Sequence, residues 1–159
     1  MSLALNIGGF IAGLLGMEVV AWATHRYVMH GFAWAWHRGH HEPQTRGFEL
    51  NDLFAIVFAG IAIGLVALGL RPGLSPLWWA GWGATAYGVL YALFHDALVH
   101  NRWGWNLQPR GRYLRSIVQA HHLHHAARDK DDAVSFAFLT PVDTPRLAAR
   151  FRARRALSR

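Results

Sequence analysis

The sequence predicts an all-α integral membrane protein: a bundle of three to four transmembrane helices with a cytoplasmic cap of histidine boxes. Three observations carry this reading. Apolar residues dominate, making up 53% of the 159-residue chain, and mean hydropathy is +0.13. They fall in blocks of roughly 18 to 21 residues, long enough for a helix to cross a hydrocarbon core about 30 Å thick. All 11 histidines lie in four short clusters beside those blocks. Residues 1–159 read as a single domain, since three spans leave too little chain for a separate soluble core.

Taken in order, Leu3 to Ala23 is interrupted only by Asn6 and Glu18. It lacks a basic leader and its apolar part is too long for a signal peptide. A membrane helix is therefore expected over 3–30. The 31–52 loop carries HRGHHEP and ends at a cap-like Asn51-Asp52. Leu53 to Leu70 has no charge, which predicts a second helix over 53–70. Pro72, Gly73 and Pro76 reverse the chain. Leu74 to Phe94 has only Ser75, Thr85, Tyr87 and Tyr91 as polar members, so a third helix is expected over 77–100. A helix near 111–126 follows, with Leu114, Ile117 and Val118 on the face of His121. Val134–Leu139 is the candidate for a fourth hydrophobic element. The tail, 141–159, sets Arg146, Arg150, Arg152, Arg154 and Arg155 among alanines and leucines, a pattern for an amphipathic helix on anionic headgroups.

Charge sets the expected orientation. Of 16 Lys and Arg, 12 follow Asn101, three lie between Arg26 and Arg46, and only Arg71 sits in the loop between the second and third blocks. The positive-inside rule puts the histidine loops and the C-terminus in the cytoplasm and the N-terminus outside. The net charge of +7 then needs no nucleic acid partner. The chain has no cysteine, which excludes disulfides, cysteine-held clusters and thiolate-ligated haem.

The histidines form two H-x4-H pairs, His25/His30 and His95/His100, and two H-x2-H-H sets, His37/His40/His41 and His121/His124/His125, with His122 inside the last. In H-x2-H-H the residues share one face of a helix, so three imidazoles can converge on a site beside that face. Residues i and i+5 point about 140° apart on an α-helix. One metal then takes both histidines of a pair only if the helix frays or bulges; two metals on either side, or a helix that ends between the histidines, are the alternatives. Imidazole suits Zn, Cu, Fe and Ni, and ten ligands exceed what one zinc needs, so the pattern favours a dinuclear centre. Asp96 stands i, i+4 from His100 and is a candidate to hold that imidazole from behind, or to pair with Arg102. Glu18, a charge within a membrane helix, lies on the face of His25 about 10 Å away and is a second such candidate, the alternative being a protonated carboxyl against Trp22 or a tyrosine. Gly60, Gly64, Gly81, Gly83 and Gly88 line either a substrate groove or close helix contacts. No flavin, haem or dinucleotide-binding motif is present, so electrons for a redox reaction must come from a partner.

HRYVMHG, WHRGHHEP, NDLFAIVFA, TAYGVLY, HDALVH and QAHHLHHA, followed by VSFAFL, resemble the bacterial β-carotene 3-hydroxylase family of the membrane fatty acid hydroxylase superfamily. The resemblance covers residues 15–140. It implies an iron- and dioxygen-dependent enzyme of the bacterial inner membrane that hydroxylates the 3 and 3′ carbons of β-ionone rings. β-Carotene would become β-cryptoxanthin and then zeaxanthin, and canthaxanthin would become astaxanthin. It implies two iron ions, replaceable by zinc in isolated protein, on His25, His30, His37, His40, His41, His95, His100, His121, His124 and His125. A ferredoxin-type donor would supply electrons. Arg is common in the family at His122, which sets that residue outside the ligand set. DAVSFAFL stands where members often read GCVSFGFL, which touches no ligand. The alternatives are an acyl-lipid hydroxylase or desaturase of the same superfamily, a carotenoid ketolase, a haem-b electron carrier and a non-enzymatic metal-binding membrane protein.

Overall fold

A computed structural model of the chain describes residues 2–42, 47–127, 129–140 and 142–157. Pro43 of the HHEP motif and the two ends of the 141–159 tail lie outside the described residues. Helix α1 (Leu3–Ala23) runs without a break into a π-helical turn, Thr24–Phe32. A short helix α2 (Trp34–His37) tightens into a 3-10 turn, Arg38–His41. Helix α3 (Asp52–Gly69) leads through a turn with Gly73 at φ +81° into α4 (Ser75–Tyr91). That positive φ is why glycine stands there. Helix α4 also continues as a π-helix, Ala92–Val99. Helix α5 (Gly111–His125) and helix α6 (Thr144–Leu157) complete the chain.

Helix α4 lies between α1 and α3. It runs parallel to α1: Gly9 meets Pro76 and Trp79, Gly13 meets Ala80, and Gly83 meets Phe10 and Leu14. It runs antiparallel to α3, with Trp78 against Gly69 and Gly81 against Val66 and Ala62. A Cβ on Gly13 would stand 2.0 Å from the Ala80 carbonyl oxygen, and one on Gly83 would stand 2.1 Å from that of Phe10. Only glycine permits backbones this close. Gly81 and Gly83 therefore serve helix contact, whereas Gly60, Gly64 and Gly88 face open space. Met17, Ala62, Ala84 and Tyr87 form the core between the three helices.

Leu3–Phe32 and Asp52–Gly69 are long and apolar enough to cross a membrane. Both are mostly exposed along their length: α1 itself buries only Met17, and α3 only Phe54, Ala62 and Gly69. Leu5, Ile7, Ile11, Leu15 and Val19 face outward from α1, as do Ile56, Val57, Ile61 and Ile63 from α3. Aliphatic faces of this extent mark contact with lipid or another apolar surface. The third expected span is helical too, but its tryptophans and glycines leave it less apolar than the other two.

At the end of the bundle where α1 and α4 finish, α5 and α6 form a cap. Ala120, Ala127, Ala133, Val134, Phe136, Leu147 and Phe151 make its core. The tail helix is thus docked through Leu147 and Phe151, with Arg154 donating to the Ala133 carbonyl at 2.7 Å. Val134–Leu139 forms no further helix and runs irregularly across the cap.

Candidate metal centre

The ten histidines of the four clusters meet at this end of the bundle. His40, His95, His100, His121 and His125 form one group, and His25, His30, His37 and His124 form a second; within each, the candidate ligand atoms lie within 4.8 Å of one another. His41 joins the second group through its Nε2, 3.2 Å from Nε2 of His37. The groups adjoin: the rings of His41 and His125 stack at 4.6 Å, and those of His37 and His40 are 5.5 Å apart. His122 is exposed and stands apart from both.

Backbone geometry explains the partition, and of the alternatives open in the sequence it takes the bulged helix. Each H-x4-H pair enters one group rather than two. The π-helical turns are the bulge that permits this: i→i+5 hydrogen bonding stacks residue i beside residue i+5. His25 and His30 lie with ring centroids 5.2 Å apart, and His95 and His100 lie 4.5 Å apart. Each H-x2-H-H set, by contrast, is split. At 100° per residue, i and i+4 differ by about 40°, while i+3 falls on the other side of i by about 60°. On α5, His121 and His125 therefore enter one group and His124 the other; where α2 tightens into the 3-10 turn, His37 and His41 share the second group and His40 crosses to the first.

The hydrogen bonds behind the rings test whether this donor set suits a cation. Nδ1–H of His25 donates to the Phe136 carbonyl at 3.1 Å, His30 to Lys130 at 3.0 Å, and His124 to Val134 at 3.1 Å. His37 donates to Asn51 Oδ1 at 2.7 Å, His40 to Glu49 Oε2 at 3.1 Å, and His95 to Asp96 Oδ1 at 2.7 Å. A neutral imidazole has one N–H, so each of these rings turns an Nε2 lone pair inward. The lone pairs then face each other: His30 and His124 at 3.1 Å, His25 and His37 at 3.2 Å, His40 and His95 at 3.0 Å. Opposed lone pairs repel unless a proton or a metal lies between them. A proton is disfavoured, because burial and neighbouring imidazoles push His37, His121, His124 and His125 far below the usual histidine range, and His41 down to about 3. Among the described residues the buried Nε2 of His125 has no hydrogen-bond partner. Both groups can hold a metal ion.

The supporting residues meet the sequence expectation in part: Asp96 pairs with Arg102, as one alternative had it, and Glu18 bonds a tyrosine. Asp96 holds its neighbour His95, not His100, because the π-turn rotates His100 away; Arg102 is 3.8 Å from it. Arg102 also forks onto Asp52 at 2.7 and 2.8 Å, which ties the end of α4 to the start of α3. Asn51 makes no helix cap and turns its side chain to His37. Glu18 bonds no imidazole. Its Oε2 accepts from Tyr87 at 2.8 Å, and its Oε1 accepts three consecutive backbone N–H groups, of Phe138, Leu139 and Thr140. Sequence reasoning missed Glu49, Asn51 and the carbonyls of Lys130, Val134 and Phe136. The polar run before the second apolar block was the available signal for the first two; a carbonyl leaves none.

The fatty acid hydroxylase family profile matches residues 10–144, which span all ten of these histidines. The chain belongs to the fatty acid hydroxylase family. Within this family it is 49% identical over 141 residues to a β-carotene hydroxylase of Pantoea ananas, covering 89% of this chain and 80% of that protein. It is 53% identical over 129 residues to a β-carotene hydroxylase of Pseudescherichia vulneris, covering 81% and 73%. A chloroplastic β-carotene 3-hydroxylase of Arabidopsis thaliana is 42% identical over 146 residues, covering 88% of this chain and 44% of that one. No solved structure matches the chain.

Proposed function

We propose that the protein is a membrane-bound, dioxygen-dependent β-carotene hydroxylase that adds hydroxyl groups to the 3 and 3′ carbons of the β-ionone rings. The observation that carries the reading is the pair of adjoining all-imidazole groups, in a chain about half identical to bacterial β-carotene hydroxylases. His40, His95, His100, His121 and His125 would hold one iron ion, and His25, His30, His37, His41 and His124 the other. Bound iron supplies the dioxygen activation that an unactivated C–H bond requires.

The chain's own residues do the rest. Carbonyl and carboxylate partners hold each imidazole in the tautomer that presents Nε2. All-neutral ligands let the centre sit at an apolar boundary without an anionic charge. A carotene is about as long as a hydrocarbon core is thick, near 30 Å, so one ring can reach the centre while the polyene stays among the helices. Gly60, Gly64 and Gly88, which face open space, mark helix surfaces smooth enough for it. Twelve of the sixteen basic residues follow Asn101, which supports a cytoplasmic centre in a bacterial inner membrane and a third span through α4. An external one-electron donor of the ferredoxin kind supplies the electrons.

Pigment chromatography tests the proposal. In a β-carotene-accumulating bacterial host under air, the wild type is expected to yield zeaxanthin and His124→Ala only β-carotene. Unchanged β-carotene with folded wild-type protein in the membrane would overturn the reading in favour of an acyl-lipid substrate.

A further inference from the structure

The segment 133–140 crosses both imidazole groups. Phe136 and Phe138, two residues apart, point the same way on it. The Phe136 ring lies 5.5, 5.1 and 5.4 Å from the rings of His25, His30 and His124. The Phe138 ring lies 5.6 and 5.9 Å from those of His95 and His121, and 5.0 Å from Tyr91. One phenyl thus covers each group. On the far side of Phe136 is an open cleft lined by Trp22, Arg26, Val134, Leu147 and Arg150. Phe136 therefore separates the second group from solvent.

The segment is pinned at two ends by different means. Ala133 and Val134 are buried in the cap core, and Arg154 bonds the Ala133 carbonyl. The other end is held by Glu18. Its Oε1 takes the N–H groups of Phe138, Leu139 and Thr140 at 3.0, 2.8 and 2.9 Å and the Thr140 hydroxyl at 3.0 Å. Tyr87 bonds the other carboxylate oxygen, and Tyr113 donates to the Leu139 carbonyl. Ser135 has φ +62°, a left-handed conformation that a non-glycine residue adopts only when its surroundings impose it.

We propose that Glu18 is a positioning residue: it latches the 133–140 strap so that Phe138 seals the His95/His121 group against water during turnover. The inference rests on the hydroxylase reading. Hydroxylation consumes one dioxygen, two electrons and two protons and returns the C–OH and one water. With the centre open to water, the same electrons, from the external donor, and protons reduce dioxygen to hydrogen peroxide instead. Removing the latch frees the Phe138 end. The carbonyls of Val134 and Phe136 that orient His124 and His25 stay pinned by the cap core, so metal binding survives.

The test uses full-length protein in bilayer discs, with Glu18→Ala, Glu18→Gln and the milder Thr140→Val, which removes one donor at an exposed residue. Amide exchange over 138–140 is expected to rise about tenfold to hundredfold in Glu18→Ala. It should rise less in Glu18→Gln and least in Thr140→Val. Metal content stays at the wild-type level, while hydroxylated product per dioxygen falls and peroxide rises in the same order. Wild-type exchange and coupling in Glu18→Ala would overturn the proposal, as would loss of metal in step with activity. If Glu18→Ala does not accumulate, unchanged exchange in Thr140→Val overturns it and raised exchange supports it. Exchange needs no substrate, so a wild type that makes no hydroxycarotenoid refutes the activity without touching the latch.

Discussion

Asn51→Ala isolates one of the two imidazole groups. In the native protein the Asn51 amide oxygen accepts Nδ1–H of His37 at 2.7 Å, and both residues are buried, at 8% and 2% exposure. His37 is central to its group, with Nε2 3.2 Å from those of both His25 and His41. Truncation leaves a buried N–H without its acceptor and frees the ring to rotate. An unsatisfied buried donor costs about 1–3 kcal/mol, which is roughly fivefold to 150-fold in a binding constant. Loss of such a supporting bond typically weakens metal binding by about 10–100-fold. The assay is metal per chain by mass spectrometry after equilibration with graded chelator. The wild type is expected to hold two ions, and Asn51→Ala to release one at lower chelator while the other titrates as before. Asp96→Ala, which strips the partner of His95, should weaken the other ion instead. Equal weakening of both ions by either variant, or wild-type titration, would refute the partition into two groups.

Three further outcomes are expected. His122→Ala should give wild-type pigment, because that ring is exposed and outside both groups; loss of product would make it a ligand. Gly83→Ala should lower the thermal midpoint through a cost of about 1–3 kcal/mol, since its Cβ would strike the Phe10 carbonyl, whereas Gly88→Ala should be near neutral; equal midpoints would refute the α1–α4 register. Burial and the neighbouring His30 and His40 lower His41 from 6.5 to about 3. Between those values the unfolded chain binds a proton that the folded chain does not. Metal-free protein should therefore be most stable above about pH 6.5 and lose stability as pH falls towards about 3; a higher unfolding midpoint at about pH 5 than at about pH 7.5 would contradict this.

The helical elements and the candidate ligands are legible in the sequence alone. Apolar length depends on composition alone, so the helices at Leu3–Ala23, Asp52–Gly69, Ser75–Tyr91 and Gly111–His125 lie close to where the blocks predict them. The clustering of every histidine points to the residues that the fold gathers into two groups able to hold a metal, whereas His122 is set apart only by the family resemblance. The division of ligands was not legible. It depends on whether a helix keeps i→i+4 bonding or shifts to i→i+5, and H-x4-H reads the same either way. Tertiary structure decided that through the π-turns at Thr24–Phe32 and Ala92–Val99. It also decided the role of Glu18, whose partners lie 69 and 120 to 122 residues away. No local pattern announces a carboxylate that grips backbone amides so distant in the chain, because the amides are present at every residue and only folding selects which three arrive.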